Sequence, residues 1–354
     1  MAIFDVSLSK SIFFLCKNED LMKKTYEKIL IIQTAFIGDV ILATAILEKL
    51  YVYYPEAEYT FLVRKGNEML LQSHPFLKKV LVWDKTQNKY KNFWKVLKQI
   101  RAEKYDLVVN LQRFASSGIF MAFSGAKEKV CFNKNPFAWL ANRKVTHEIG
   151  KGIHEIDRNQ TLIAYITDEQ PAKPKLYPSN HDFEIVQPYQ ESNYICIAPA
   201  SVWFTKQFPI HKWIDFVRLL PMETNIYLLG AKSDFELCEE IKEKSKHPFL
   251  HNLAGKLNLL ASAALMQKSI MNYVNDSAPL HLASALNAPV CAVYCSTVTD
   301  FGFYPVAEKS YVIETAQNLP CRPCGLHGYK TCPKGHFACA ESIDTQKMAD
   351  LMSV

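Results

Sequence analysis

Short apolar strand patterns alternate with amphipathic helix patterns along most of this 354-residue chain. Residues 29–32 form a strand pattern and residues 40–51 a helix pattern. The same alternation resumes at residues 194–198 and ends with a strand at 289–294. Alternating strands and helices are typical of a parallel sheet that is covered by helices on both faces. We therefore predict an α/β protein with two Rossmann-like, doubly wound domains that face a central cleft.

A proline-punctuated polar stretch at residues 170–193 separates the two series, and we interpret it as a linker. The predicted domains are residues 22–180 and 181–354. An N-terminal extension at residues 1–21 precedes them, with Met22 as an alternative start. Open parallel sheets bind ligands beyond the carboxyl ends of their strands, so we expect the functional residues to follow strands and to meet in the cleft.

Positive charge is concentrated in the first half. Residues 61–160 contain 19 Lys and Arg against 8 Asp and Glu, whereas the whole chain has a net charge of +6. Such a region is typical of proteins with an anionic partner: nucleic acid, a membrane surface or an acidic substrate. Residues 90–104 form a basic amphipathic helix pattern, which either exposes a solvated face or rests on anionic lipid. The apolar run at residues 12–16 is too short for a secretory signal, so we expect a cytoplasmic protein.

Two segments that follow strand patterns carry candidate catalytic and binding residues. Gly38 would permit a tight turn after the first strand, and Asp39 would either cap a helix or present a carboxylate to the cleft. Thr205 and Lys206 precede a helix, where the lysine either binds phosphate or is solvated. The chain has no Gly-x-Gly-x-x-Gly motif, which disfavours a dehydrogenase-type dinucleotide site.

A third segment, residues 275–286, places polar residues at the start of a helix. Asp276 and Ser277 come directly after a strand, Pro279 suits the first helical turn, and His281 follows. The free amides and the dipole of such a helix start attract anions. His281 is equally consistent with a packing role.

Together these segments resemble the ADP-heptose-using heptosyltransferases of lipopolysaccharide assembly, in glycosyltransferase family nine. The resemblance is carried by residues 31–40, 205–209, 252–256 and 275–283, in matching order and spacing. It implies a GT-B architecture, in which the N-terminal half binds the acceptor and the C-terminal half binds the nucleotide-sugar. It also implies inverting, metal-independent transfer of heptose to a Kdo or heptose residue of the inner core, with no resident cofactor.

The resemblance assigns roles to individual residues. Asp39 would be the general base, and Lys206 would assist the leaving diphosphate. The donor-binding residues that the family pattern implies are Thr205, Lys206, Asp234, Glu236, Asp276, Ser277, Ala278 and His281. The acceptor would carry carboxylates and phosphates, for which we select five basic candidates: Arg64, Lys65, Arg113, Arg143 and Arg158. The expected partners are therefore a nucleotide-sugar, the lipopolysaccharide inner core and, by peripheral contact, the cytoplasmic face of the inner membrane. Nucleic acid is not expected.

Two positions depart from the family pattern, since Ala278 and Cys295 stand where relatives usually have glycine. Glycine lets the backbone approach a phosphate closely, so we expect the extra atoms to narrow the donor site. The alternatives are a related glycosyltransferase that uses another nucleotide-sugar, and a non-catalytic relative that binds one.

Four of the ten cysteines lie close together near the C-terminus: Cys321, Cys324, Cys332 and Cys339. A Cys-x-x-Cys pair with two further cysteines is consistent with zinc, but the second spacing is not that of a standard zinc ribbon. We favour free thiols, with zinc as the alternative. The other cysteines lie in apolar segments and are expected to be buried.

Overall fold

A computed structural model describes residues 25–353, and it contains two parallel sheets of six strands each. The predicted N-terminal extension, residues 1–21, lies outside the described residues. The strands of the first sheet are β1 (Lys28–Ile32), β2 (Glu58–Arg64), β3 (Leu77–Trp83), β4 (Leu107–Asn110), β5 (Glu128–Phe132) and β6 (Arg143–Val145). The strands of the second are β7 (Tyr194–Ala198), β8 (Asn225–Leu228), β9 (Leu250–Asn252), β10 (Asn272–Asn275), β11 (Val290–Tyr294) and β12 (Ser310–Glu314).

Helices follow most of the strands and cover both faces of each sheet. Their bounds are α1 (Ile37–Tyr53), α2 (Lys89–Glu103), α3 (Ala115–Ala122), α4 (Glu155–Gln160), α5 (Asn180–Val186), α6 (Ile210–Arg218), α7 (Phe235–Ser245), α8 (Leu259–Gln267), α9 (Ala278–Ala285), α10 (Ala338–Glu341) and α11 (Gln346–Asp350). Within residues 25–353, none of these helices has the length and apolar character that crossing a bilayer requires.

The two sheets have the same topology. The first has the order β3-β2-β1-β4-β5-β6, and the second has the order β12-β11-β10-β7-β8-β9, so in each half the first and fourth strands are central neighbours. Central strands read as continuous apolar runs because helices bury them on both faces. In β1, for example, Ile29 and Ile32 are fully buried. The prediction of two doubly wound halves is confirmed.

Two boundaries in the sequence analysis are wrong. The second part of the predicted linker, residues 170–193, forms helix α5, because Ser179 and Asp182 exchange hydrogen bonds as a capping box. The strand series does not end at residue 294, since β12 pairs with β11. The strands of each sheet all fall inside the predicted ranges 22–180 and 181–354, and the boundary between those ranges stays a prediction.

The two halves meet along helices α1 and α9, which pack against each other. A second contact joins α4 to the other half, where the Glu155 backbone N–H donates to the Gly302 carbonyl (2.7 Å). Gly302 has a φ of +82°, and a Cβ there would lie 2.0 Å from the Ile153 carbonyl oxygen, so only glycine fits. These contacts hold the carboxyl ends of β1 and β10 on opposite sides of one cleft.

Candidate active site between the two sheets

Each sheet reverses its strand order at one point, between β1 and β4 in the first half and between β7 and β10 in the second. Loops diverge at such a switch point and leave a crevice beyond the carboxyl ends of the strands. Two adjoining cavities occupy this region. The first has a volume of about 220 Å³ and takes its walls from both halves. The second has a volume of about 300 Å³ and lies mainly against the first half.

A small set of residues lines both cavities. Its members are Phe36, Asp39, Arg64, Phe303, Leu326 and His327. Asp39 is the one carboxylate in this shared set of described residues. A carboxylate at this boundary could contact a molecule in either cavity.

Asp39 lies in the first turn of α1, which starts directly after β1. Its Oδ2 accepts a hydrogen bond from the Phe36 backbone N–H (3.2 Å). Burial raises the pKa of Asp39 to about 6, and the nearby Glu155 carboxylate adds to the rise, whereas that hydrogen bond and Arg64 oppose it. A carboxyl group with a pKa near neutrality suits general-base chemistry.

Gly38 has a different role from the tight turn that its sequence position predicts, because it lies inside α1. A Cβ at this position would lie 2.7 Å from Cδ2 of His281, on the facing helix α9. The missing side chain therefore lets the two helices approach each other beside Asp39. Burial lowers the pKa of His281 to about 4, so its ring is neutral at physiological pH.

Lys206 and Asp276 form an ion pair on the opposite side of the first cavity. Lys206 Nζ lies 2.6 Å from Asp276 Oδ2, which also accepts a hydrogen bond from the Thr297 hydroxyl (2.7 Å). Both side chains of the pair are largely buried, and both line the cavity. Thr205 lies behind this wall, where its Oγ1 accepts hydrogen bonds from Tyr329 N–H (2.8 Å) and Ser296 Oγ (3.0 Å).

Helix α9 points its N-terminus at the same cavity, which Ser277 and Ala278 line. The Ser277 hydroxyl donates to the Asn275 carbonyl (3.4 Å) rather than capping the helix. The first turn of α9 therefore offers its amides and its positive dipole end to the cavity. Next to Lys206, this arrangement is suited to an anionic group such as a diphosphate.

The family model for glycosyltransferase family 9 (heptosyltransferase) matches residues 93–330, which is more than half of the chain. The chain belongs to this family. It is a glycosyltransferase, and the match confirms the resemblance on which the sequence-based roles rest.

Curated relatives and solved structures agree with the family 9 assignment. The lipopolysaccharide core heptosyltransferase OpsX of Haemophilus influenzae is 27% identical over 276 residues, covering 75% of this chain and 78% of the relative. The structure of Escherichia coli ADP-heptose lipopolysaccharide heptosyltransferase II matches with a TM-score of 0.74 at 20% identity, over 92% of this chain and 97% of that one. E. coli WaaC with ADP-2-deoxy-2-fluoro heptose matches with a TM-score of 0.67 at 18% identity, over 81% and 93%. The fold is GT-B, as predicted.

The remaining donor candidates of this family 9 chain lie away from the cavities. Asp234 accepts a hydrogen bond from the Ala231 N–H (2.8 Å) beside Gly230, and Glu236 is exposed in the first turn of α7. Neither residue lines either cavity, and their donor role stays a prediction. Cys295 packs in the buried core of the second half, so the expectation that it narrows the donor site is wrong. Ala278 is the departure from the family pattern that reaches the cavity.

The five basic acceptor candidates separate into three groups. Arg64 and Arg113 line the second cavity. Arg158 is buried and forms an ion pair with Glu155 (2.6 Å), while also donating to the carbonyls of Ile153 and Phe301. The other two lie outside both cavities: Lys65 is paired with Asp84, and Arg143 stacks on Tyr165. Arg158 therefore supports the cleft floor, and its acceptor role has no structural support.

Lys85 is a cavity residue that the sequence analysis missed. Its Nζ donates to the Thr34 carbonyl (2.8 Å), and its side chain lines the second cavity beside Arg64 and Arg113. Burial lowers the pKa of Lys85 to about 8, and Arg64 and Lys89 contribute. The available signal was its position two residues after strand β3, where a sheet edge opens into the cleft.

The cysteine-rich segment forms part of the cleft wall, because Leu326 and His327 line both cavities. It is anchored by backbone hydrogen bonds from Cys324 N–H to Ser296 (2.9 Å) and from Thr205 N–H to Tyr329 (3.1 Å). Within residues 25–353, no group of three or more His, Cys, Asp or Glu side chains is arranged to hold a metal ion. The interior cysteines among the described residues are buried, as expected: Cys131, Cys196, Cys238, Cys291 and Cys295.

Proposed function

We propose that this protein is an inverting heptosyltransferase that transfers heptose from ADP-heptose to a Kdo or heptose residue of the lipopolysaccharide inner core. The observation that carries the proposal is the position of Asp39 between two cavities. One of these cavities has a paired lysine and a helix N-terminus in its wall, and the other has three basic side chains. The relatives reported above are lipopolysaccharide heptosyltransferases, which supports the same substrate class.

The first cavity suits the donor. Lys206 and the N-terminal amides of α9 would contact the diphosphate, and they would stabilise the negative charge that the departing ADP acquires. Asp276 offsets part of the Lys206 charge before the donor arrives and fixes the direction of the ammonium group. His281 is neutral and would pack against the donor without adding charge.

The second cavity suits an anionic acceptor, because Arg64, Arg113 and Lys85 line it. The acceptor hydroxyl would lie within about 3 Å of the Asp39 carboxylate, which takes its proton as the oxygen attacks the anomeric carbon. The new C–O bond forms while the bond to the diphosphate breaks, so one displacement inverts the anomeric centre. The proton ends on Asp39, and the electron pair of the broken bond ends on ADP.

The donor is tested by calorimetric titration of the purified protein with ADP and ADP-heptose, alongside UDP- and GDP-sugars. Selective binding of the ADP pair supports the proposal. Preference for another nucleotide would leave the proposed mechanism in place but assign a different sugar donor. Ala278→Gly, in the cavity wall, would then be the first variant to test. The Asp39→Asn variant is the matched control for nucleotide binding, since it removes the proposed base and should bind ADP with unchanged affinity.

The acceptor is tested by transfer from the preferred donor to inner-core lipopolysaccharide that lacks heptose or carries one heptose. The product should have inverted anomeric configuration by NMR. Donor binding without transfer to any inner-core acceptor would favour the non-catalytic relative.

We assign no resident cofactor to the reaction, and this stays a prediction. Elemental analysis of the purified protein should find less than about a tenth of an equivalent of zinc, because the thiol spacing is not that of a standard zinc ribbon. A full equivalent, lost when Cys321 and Cys324 are replaced by serine, would show that the cysteine segment is a metal site.

A further inference from the structure

One face of the first half exposes aromatic rings among basic side chains. In helix α2, the positions of Tyr90, Trp94, Lys98 and Arg101 are three or four residues apart, so these side chains form one row along the helix. Trp94 is 63% exposed and Tyr90 is 77% exposed. The adjoining side of the helix is apolar and packs into the core: Phe93, Val96, Leu97 and Ile100.

An apolar groove of about 500 Å³ lies between this row and helix α3. It is lined by Trp94, Leu97, Lys98, Arg101, Ile119, Phe123 and Phe137. Phe123 is 47% exposed, and Arg101 is held across the groove by a hydrogen bond to the Phe123 carbonyl (3.0 Å). We define the basic–aromatic face as Tyr90, Lys91, Trp94, Lys95, Lys98, Arg101 and Phe123.

The basic–aromatic face keeps its positive charge. Helix α2 contains five basic residues and one acidic residue, Glu103. Glu103 is engaged by Lys79 (2.6 Å) and Lys28 (3.7 Å) from other elements. In the part of the chain that the structure describes, no acidic side chain forms an ion pair with Lys95 or Lys98.

This combination matches the chemistry of a lipid surface. Tryptophan and tyrosine are favoured at the boundary between headgroups and acyl chains, where one part of the ring is apolar and the other is hydrated. Lysine and arginine extend their charged ends towards anionic headgroups while their stems cover apolar surface. We propose that the basic–aromatic face docks on the surface of an anionic lipid bilayer.

The position of this face relative to the second cavity fits a membrane-associated reaction. Helix α3 joins the two sites, because Phe114 at its N-terminus lines the second cavity and Phe123 at its C-terminus lines the groove. The eight residues of α3 span about 12 Å, so docking places the second cavity close to the bilayer. This last step rests on the proposed acceptor, whereas docking itself does not.

Docking is tested by co-sedimentation of the full chain with vesicles, without donor or acceptor. Vesicles of phosphatidylcholine and phosphatidylglycerol in equal parts should bind the protein, and vesicles of phosphatidylcholine alone should not. Lys95→Glu with Lys98→Glu should weaken binding at least tenfold. The matched control is Lys268→Glu with Lys309→Glu, which changes the net charge equally on exposed lysines of the second half and should have little effect.

The aromatic contribution is tested by Trp94→Ala, with Phe249→Ala as the control at an exposed ring of the second half. Trp94→Ala should weaken vesicle binding several-fold, and Phe249→Ala should not. Circular dichroism checks that every variant is folded. Equal losses in both lysine pairs would show attraction by net charge alone, and absence of vesicle binding would refute docking. A lipid-free dimer that Trp94→Ala dissociates would assign the face to a second copy of the chain instead.

Discussion

The two halves of the cleft have the same strand order, but the aspartate of one half forms an ion pair and the aspartate of the other does not. Asp39 follows β1, and Asp276 follows β10, so both lie at the switch point of their sheet. Asp276 is paired with Lys206 and hydrogen-bonded to Thr297, whereas Asp39 has no ion pair within residues 25–353. One topology therefore supplies an ion-paired carboxylate in the second half of the chain and an unpaired one in the first half. The local partner, and not the fold, decides which aspartate is free to contact a substrate.

Replacing Asp39 should give the largest effect on activity. Asp39→Asn removes the proton acceptor while keeping the shape, so kcat should fall by about 10²–10⁴ with little change in ADP affinity. Steady-state kinetics and calorimetry measure the two quantities. If Asp276→Asn lowered kcat more than Asp39→Asn and left ADP binding intact, the roles of the two aspartates would have to be exchanged.

Removing Arg158 should have its main effect on stability. Arg158→Ala leaves the buried Glu155 carboxylate without its partner, which should lower the free energy of unfolding by about 3–5 kcal/mol. The exposed Arg143→Ala, which loses a stacking contact with Tyr165, should cost less than about 1 kcal/mol. Urea denaturation compares them. If Arg158→Ala left the urea concentration at the unfolding midpoint unchanged, Arg158 would not be a structural residue and would again be a candidate for acceptor binding.

The pH dependence should show the raised pKa of Asp39. Below about pH 6 the carboxyl group is protonated and cannot act as a base, so kcat/KM should fall about tenfold per pH unit there and level off above it. Burial lowers the pKa of His147, His154 and His281 to about 4, so these rings do not account for a limb near 6. Arg64→Met should move the limb to higher pH, since Arg64 lowers the Asp39 pKa. A limb that stays in place would exclude Asp39 as its source.

The smallest effect is expected at Lys85. Lys85→Met should raise the acceptor KM about tenfold or less and leave ADP binding unchanged, because Lys85 lines the second cavity and not the first. Since the pKa of Lys85 is about 8, the cation is present below that pH, and the wild-type KM should rise above it. Lys65→Met is the control, at a lysine paired with Asp84 outside both cavities. Equal effects of both variants would mean that general charge, and not position, determines acceptor binding.

Sequence patterns predicted the central strands well and the edges poorly. Buried strands such as β1 and β7 are recognisable because burial on both faces demands continuous apolar runs. The edge strand β12 is only half-buried and carries no such signal. Helix α5 lies in a proline-rich stretch that resembles a linker apart from its capping box.

At the candidate site, the residues that directly follow strands could be predicted from the sequence. The contacts between elements that are distant in sequence could not. Asp39, Lys206 and Asp276 were found because they come after strands, which is a property of position along the chain. The pairing of Lys206 with Asp276, the burial of Arg158 and the contribution of Lys85 depend on which elements pack together. No local pattern contains that information.

The contact between Gly38 and His281 makes two positions in different halves mutually dependent. Because a Cβ at residue 38 would collide with the His281 ring, the effect of changing either residue depends on the other. Substitutions there should be strongly non-additive, and a larger residue at position 38 should be tolerated only together with a smaller one at 281. In directed evolution of this enzyme, single-site libraries at residue 38 should therefore yield few active variants, whereas a paired library with residue 281 should recover them.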